Sequence, residues 1–382
     1  MTHVFIVGSK GIPAQYGGFE TFVENLTAGK QSPEIMYHVS CMNNDEKHFE
    51  HNGADCFNVR VPLPGAPGRI FHVGLVLAQV EEWAKSHPQV KVIVCILGCR
   101  IGPLLIPHAH KLHKLGAKVY CNPDGLEWKR SKWSAPAKMF LRYCEKCLVE
   151  NSDLAICDSV NIEKYIKDTY GSRVKDTTFI AYGAYTDRSQ CSEEKLTEWY
   201  PQFNIKRGRY YLIVGRFVPE NNYETMITEF MRSKTTKDLV IITNVEHNKF
   251  YEQLREKTGF EKDSRIKFVG TVYDQDLLKK IREEAYGYLH GHEVGGTNPS
   301  LLEALASTKL NLLRDVGFNK EVGEDSALYW NKDPGNLASL LEKADALDAD
   351  TIAQLDKKST ERVKSAYSWS KIVREYESVF LR

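Results

Sequence analysis

The residues best suited to chemistry on a phosphorylated ligand stand together in His290-Gly291-His292-Glu293-Val294-Gly295-Gly296-Thr297-Asn298-Pro299-Ser300-Leu301-Leu302-Glu303-Ala304. The stretch follows an apolar, strand-like run and opens a helix near Pro299, an early helical position that proline favours. Free N–H groups of Ser300 and its neighbours, with the helix dipole, would hold a diphosphate. Glu303 lies on the same side of that helix as Pro299 and Ser300, placed for ribose hydroxyls. A glycine loop with N-cap chemistry is the plainer reading, but it leaves the paired glycines beside Thr-Asn-Pro-Ser unexplained.

A second strand exit reads Val214-Gly215-Arg216-Phe217-Val218-Pro219-Glu220-Asn221-Asn222. A glycine directly after a strand, then an arginine, suits a phosphate, because guanidinium offers a planar fork of donors and stays charged. A structural, salt-bridged arginine is the alternative. Near the N-terminus, Gly8-Ser9-Lys10-Gly11-Ile12-Pro13-Ala14-Gln15-Tyr16-Gly17-Gly18 makes a glycine-rich strand-to-helix turn. Its glycines miss the G-x-G-x-x-G spacing of dinucleotide binding, so it reads as a ligand-facing loop of another kind, or as a flexible surface loop.

The stretch Asn122-Pro123-Asp124-Gly125-Leu126-Glu127-Trp128-Lys129-Arg130-Ser131-Lys132-Trp133 crowds carboxylates, cations and indoles, which suit sugar hydroxyls and CH surfaces. From Lys129 to Arg142 five cations (Lys129, Arg130, Lys132, Lys138, Arg142) occur without an acid, interleaved with Trp133, Met139, Phe140 and Leu141. Such a segment can lie on an anionic membrane surface, or form a solvated face. Two apparent metal motifs fall away. His108 and His110 point about 200° apart on a helix, and the Asp-x-Asp pairs at 274–276 and 348–350 begin helices, where Asp is an N-cap. No metal site is expected.

These groups need a frame, and the chain supplies an α/β one. Short apolar runs (among them Val4–Val7, Ile35–Cys41, Lys91–Ile96 and Leu154–Cys157) alternate with helical patterns, and the pattern restarts at Tyr210–Val214. That implies two doubly wound, Rossmann-like domains facing across a cleft. Residues 1–185 form the first, 186–208 a linker region and 209–366 the second. A final helix, 367–382, is expected to return to the first. Lysine plus arginine (51) balance aspartate plus glutamate (50), so no global field recruits nucleic acid. The N-terminus reads as a strand and not a signal peptide, and no run approaches a membrane span. Nine cysteines without a completed zinc pattern read as reduced thiols of a cytoplasmic protein.

GSKGIPAQYGGFETFVE (8–24), NPDGLEWKRSKW (122–133), GRFVPENNYET (215–225), HGHEVGGTNPSLLEAL (290–305) and YSWSKIVREYESVF (367–380) together resemble retaining GT-B glycosyltransferases of family 4, and more narrowly streptococcal-type β-1,4-rhamnosyltransferases of rhamnose polysaccharide and capsule synthesis. The resemblance implies a dTDP-β-L-rhamnose donor, used without metal or cofactor. It implies a polyprenyl-pyrophosphate-linked N-acetylglucosamine or glucose acceptor at the inner face of the cell membrane. Arg216 would contact the donor diphosphate, Asn298–Ser300 its oxygens and Glu303 the nucleoside sugar. Gly17 and Gly18 would face the donor, with Asp124, Glu127 and Lys129 around the transferred sugar and acceptor. The family's glutamate before the helix falls on Gly295, with Glu293 two residues earlier as a substitute, and its lysine after the Gly-Arg pair falls on Asn221. Rival readings are a UDP-sugar transferase of the same fold, a sugar-nucleotide epimerase and a non-catalytic nucleotide-binding subunit.

Overall fold

The computed structural model describes the 382 residues apart from positions 16, 44, 46, 62–64 and 247 and the side chain of Ala66. The chain divides into two compact units, Met1–Gly183 with Trp369–Arg382, and Ala184–Ser368.

The first unit carries strands β1 (Thr2–Val7), β2 (Ile35–Cys41), β3 (His48–His51), β4 (Ala54–Asn58), β5 (Lys91–Leu97), β6 (Lys118–Asn122), β7 (Leu154–Cys157) and β8 (Thr177–Phe179), in the order β3-β4-β2-β1-β5-β6-β7-β8. All pairings are parallel except β3 with β4. Val4 to Val7 and Val92 to Leu97 are buried without a break, as central strands covered on both faces must be. Strand order reverses between β1 and β5, and Gly8 leaves β1 there. A Cβ on Gly8, whose φ is +107°, would stand 2.4 Å from the Leu97 carbonyl oxygen; only glycine lets the two strand exits approach so closely.

The second unit carries β9 (Tyr210–Val214), β10 (Asp238–Ile242), β11 (Ile266–Phe268), β12 (Gly287–His290), β13 (Asn311–Arg314) and β14 (Leu328–Trp330), all parallel, ordered β11-β10-β9-β12-β13-β14. Here the order reverses between β9 and β12, the strands that lead into Gly215-Arg216 and His290–Ser300. Ligands of open α/β sheets bind at such a reversal.

The last helix, Trp369–Leu381, packs in the first unit against the helix Gly18–Ala28 and against β1 and β2. It buries Trp369, Ile372, Tyr376 and Phe380, and the Glu377 carboxylate accepts the Gln31 and Ser32 N–H groups at 2.8 and 2.9 Å. The polar stretch 186–208, read as a linker, belongs to the second unit and contains the helix Glu193–Gln202. Leu196 and Trp199 on one side of that helix enter the core. No helix among the described residues is long and apolar enough to cross a membrane.

Candidate functional site

In the second unit the exits of β9 and β12 are laced together by side-chain amides. Asn221 Nδ2 donates to the Arg216 carbonyl (2.8 Å), and Asn222 Nδ2 donates to the Gly291 carbonyl (2.8 Å). His292 Nδ1 lies 2.7 Å from Asn221 Oδ1, and the Glu293 N–H donates to the Glu220 carbonyl (3.2 Å). A Cβ on Gly291 would fall 2.2 Å from the Asn221 carbonyl oxygen, so the glycine is what permits the contact. Arg216 is exposed, and among the described residues no ion pair or hydrogen bond holds its guanidinium.

The helix Pro299–Ser307 starts where expected, with Pro299 in its first turn and Asn298 as N-cap. Its N–H groups, however, are not free. Asn298 Oδ1 accepts the Ser300 N–H at 2.9 Å, and the Asn298 carbonyl accepts those of Leu301 and Leu302. The helix end caps itself, as orphan amides require, and an anion there would have to displace the Asn298 side chain. The Ser300 hydroxyl also turns inward, to the Val214 carbonyl (3.1 Å) and Tyr288 hydroxyl (2.9 Å). Glu303 projects from the same helix, tied at 2.6 Å to the buried guanidinium of Arg282.

Glu293 is not available as a lone catalytic carboxylate. Lys332 holds it at 2.7 Å and Arg314 lies 3.7 Å away. Arg282, Arg314, Lys332 and the buried Asn319, which donates to the His292 carbonyl (3.0 Å), escaped the sequence reading. They come from separate elements, and no local motif announces them. His290, at the end of β12, is fully buried with its Nε2 unpartnered, and burial drives its pKa down to about 3.

In the first unit the stretch after β6 folds on a buried carboxylate. Glu127 is 2% exposed and is ringed by Arg130 (2.7 Å), Lys132 (2.9 Å), Arg100 (3.2 Å) and the Trp133 indole N–H (3.1 Å). Burial alone would raise its carboxyl, but Arg130, Lys132 and Arg100 outweigh that and hold it below the ordinary range. Glu127 therefore organises the loop and does not face solvent as a base. Asp124 and Leu126 take left-handed backbone, φ +64° and +53°, a strain that persists where surrounding contacts over-determine it. The Asp124 carboxylate accepts the Gly125 N–H (2.8 Å), while Asn122 Oδ1 accepts that of Asp124 (2.9 Å).

The cations expected on a membrane-facing stripe are partly drawn inward. Arg130 is 12% exposed against Glu127, with Asp124 at 3.8 Å. Lys132 pairs with Glu127 and lies over Trp133, and Lys129 and Arg142 lie over the Trp128 ring. Lys138 sits half-buried on the helix Ala135–Glu150.

In the glycine-rich loop, Tyr16 lies outside the described residues. Gly17 caps the helix Gly18–Ala28 with φ +136°, and a Cβ on Gly18 would meet nothing within 4 Å. The Lys10 and Ala14 N–H groups donate to Glu20 and Glu24, both at 2.8 Å, so those two do not await an anion. The demoted motifs behave as local chemistry demands. Asp274 and Asp348 cap helices, and His108 and His113 pair with Glu81 and Asp153. Among the described residues no group of three or more His, Cys, Asp or Glu side chains is placed to hold a metal ion.

Residues 1–185 match a family described as a domain of unknown function, DUF1972. No curated protein matches the chain. Among solved structures it is similar to a sucrose-phosphate synthase from Thermosynechococcus elongatus (TM-score 0.77, 14% identity, covering 99% of this chain and 98% of that one). It is also similar to HepE of Anabaena in complex with UDP and glucose (TM-score 0.74, 12% identity, 99% of each chain), and to a glycosyltransferase from Rickettsia africae (TM-score 0.73, 14% identity, 99% and 97%). At these identities the likeness is one of fold: two parallel-dominated α/β units in the GT-B arrangement of sheets and helices.

Proposed function

We propose that this protein is a glycosyltransferase that takes its sugar from a nucleoside diphosphate donor. The observation that carries the reading is Arg216, whose guanidinium is unpaired among the described residues, at the strand-order reversal of the second unit. It is fixed through Asn221 to the β12 exit, which leads on to the helix of Asn298, Pro299 and Ser300. As the glycosidic bond breaks, charge develops on the leaving diphosphate, and preorganised donors stabilise it. Glu303 would take a hydroxyl of the nucleoside sugar. With no carboxylate among the described residues assigned as a nucleophile, the acceptor would attack on the face the diphosphate leaves, and the leaving phosphate would take its proton. Anomeric configuration is then retained. Arg216 and the helix dipole meet the charge, so turnover is expected to persist in EDTA.

The finer reading is transfer of L-rhamnose from dTDP-β-L-rhamnose to N-acetylglucosamine or glucose on a polyprenyl pyrophosphate, by an enzyme peripheral to the inner face of the membrane. An acidic acceptor is in keeping with the loop after β6, where Lys129, Arg130 and Lys132 outnumber Asp124 and Glu127. Purified protein incubated with dTDP-rhamnose, UDP-glucose or UDP-N-acetylglucosamine and a synthetic lipid-pyrophosphate acceptor decides the matter by mass spectrometry. A deoxyhexose added only from dTDP-rhamnose is expected. Hexose addition from a UDP-sugar would instead establish the second reading, which the UDP complex of HepE favours. Nucleotide binding without product from any donor would leave the non-catalytic subunit.

A further inference from the structure

The apolar side chains that water should have driven inward are concentrated in one region of the first unit. Phe71 (51% exposed) and Leu75 lie on the helix Gly65–Ser86, and Leu104 and Ile106 at the start of the helix that follows β5. Met139 (75% exposed) and Phe140 lie on the helix Ala135–Glu150. The first helix packs against the one after β5, and that one against Ala135–Glu150, so the three are neighbours. Single exposed apolar residues need no explanation, but six of them on adjoining helices point to an interaction surface.

Charge says what kind. Between Asp55 and Asp124 the sequence contains only two acids, Glu81 and Glu82, and Trp128 to Cys144 contains none. Glu81 is buried and paired with His108 and Lys111. The same segments carry Arg69, Lys114, Lys138 and Arg142, and among the described residues none of these four is in an ion pair. On these helices the acids besides Glu81 are the exposed Glu82, the buried Glu145 and Glu150, which pairs with Arg173, so apolar side chains accompanied by an excess of unpaired cations match the headgroup region of an anionic bilayer.

We propose that this face of the first unit docks on an anionic lipid bilayer, with Phe71, Leu75, Leu104, Ile106, Met139 and Phe140 entering the acyl boundary and Arg69 and Lys138 meeting lipid phosphates. The proposal rests on the reading of a lipid-linked acceptor and extends the contact from the basic stripe, two of whose five cations pair with Glu127, to the exposed apolar side chains of three adjoining helices.

The test is co-sedimentation of the full chain with phosphatidylcholine vesicles, with and without phosphatidylglycerol, beside turnover of a water-soluble, short-chain acceptor. Wild type should bind only the anionic vesicles. The exposed-site variant Phe71→Ser/Met139→Ser/Phe140→Ser should lose about ten-fold or more in vesicle affinity. Lys138→Glu should lose about ten-fold on anionic vesicles. Both should keep wild-type turnover of the soluble acceptor, which shows that they are folded. Wild type failing to bind, or the triple variant binding as wild type does, overturns the proposal. So does concentration-dependent self-association that the same substitutions abolish, which would assign the face to a second copy. Normal vesicle binding by a wild type inactive on every donor and acceptor counts against the proposed reaction and leaves the docking face standing.

Discussion

Asn221 sets the tautomer of His292. Its Nδ2 donates to the Arg216 carbonyl at 2.8 Å, so the Oδ1 that lies 2.7 Å from His292 Nδ1 must accept, and Nδ1 carries the proton. The residue that replaces the expected lysine thus contributes geometry in place of charge, pinning the backbone of Arg216 to the exit of β12. Asn221→Ala removes both bonds, each worth about 1 kcal/mol. The expected result is a fall in kcat/KM for the nucleotide sugar of about ten- to thirty-fold, with the far-ultraviolet spectrum unchanged. Unaltered kinetics would show that the lacing does not serve the donor.

Arg216 is expected to act by charge and fork geometry together. Arg216→Ala should lower kcat/KM by about a hundred-fold, and Arg216→Lys should restore only part of it, because an ammonium cannot make the paired contact. Calorimetric titration with the nucleoside diphosphate gives the same comparison without turnover. Equal affinity of the wild type and the alanine variant would remove Arg216 from the site.

Both central sheets were legible in the sequence because their strands are buried on two faces and read as unbroken apolar runs, as in Val92 to Leu97. The strands that escaped, His48–His51, Thr177–Phe179 and Leu328–Trp330, are three- or four-residue edge strands whose side chains, Trp330 apart, are part-exposed, where alternation and propensity are weakest. The helix start at Pro299 was readable from Asn-Pro-Ser. That Asn298 would close its own helix end was not, since N-capping and anion binding use the same residue types. The burial of Glu127 was hidden for a related reason. A carboxylate among cations reads the same in sequence whether it faces a ligand or is buried as an ion-pair hub, and only the fold tells the two apart. Arg282 and Arg314 join the site from a helix and a strand whose local sequence says nothing of ligands.

Glu127 should therefore behave as a structural group. Glu127→Ala leaves Arg130, Lys132 and Arg100 facing one another around a vacated buried position, a loss of about 3 kcal/mol in the first unit, read as a fall in Tm. Its pKa is depressed in the fold, so its contribution is complete above the ordinary glutamate value of about 4.3 and is lost as pH falls below it. A stable, well-folded Glu127→Ala protein whose kcat alone has collapsed would instead place Glu127 at the transferred sugar or acceptor.

His290 makes the second unit acid-sensitive. Burial lowers its pKa from the usual value to about 3, so between about pH 6.5 and 3 the unfolded chain binds a proton that the folded chain refuses. Stability is independent of this group above about pH 6.5 and declines by about 1.4 kcal/mol per pH unit below it. His290→Gln has no such proton to lose. Between pH 7 and pH 5 the wild type should lose about 2 kcal/mol more than the variant, measured from urea midpoints at constant slope. The orphaned Nε2 makes the comparison sharp, because among the described residues no carboxylate stands against the ring to favour its charged form. Parallel losses in the two proteins would mean that the imidazole finds a proton acceptor or water inside the folded unit, and that the exit of β12 is wetter than its burial implies.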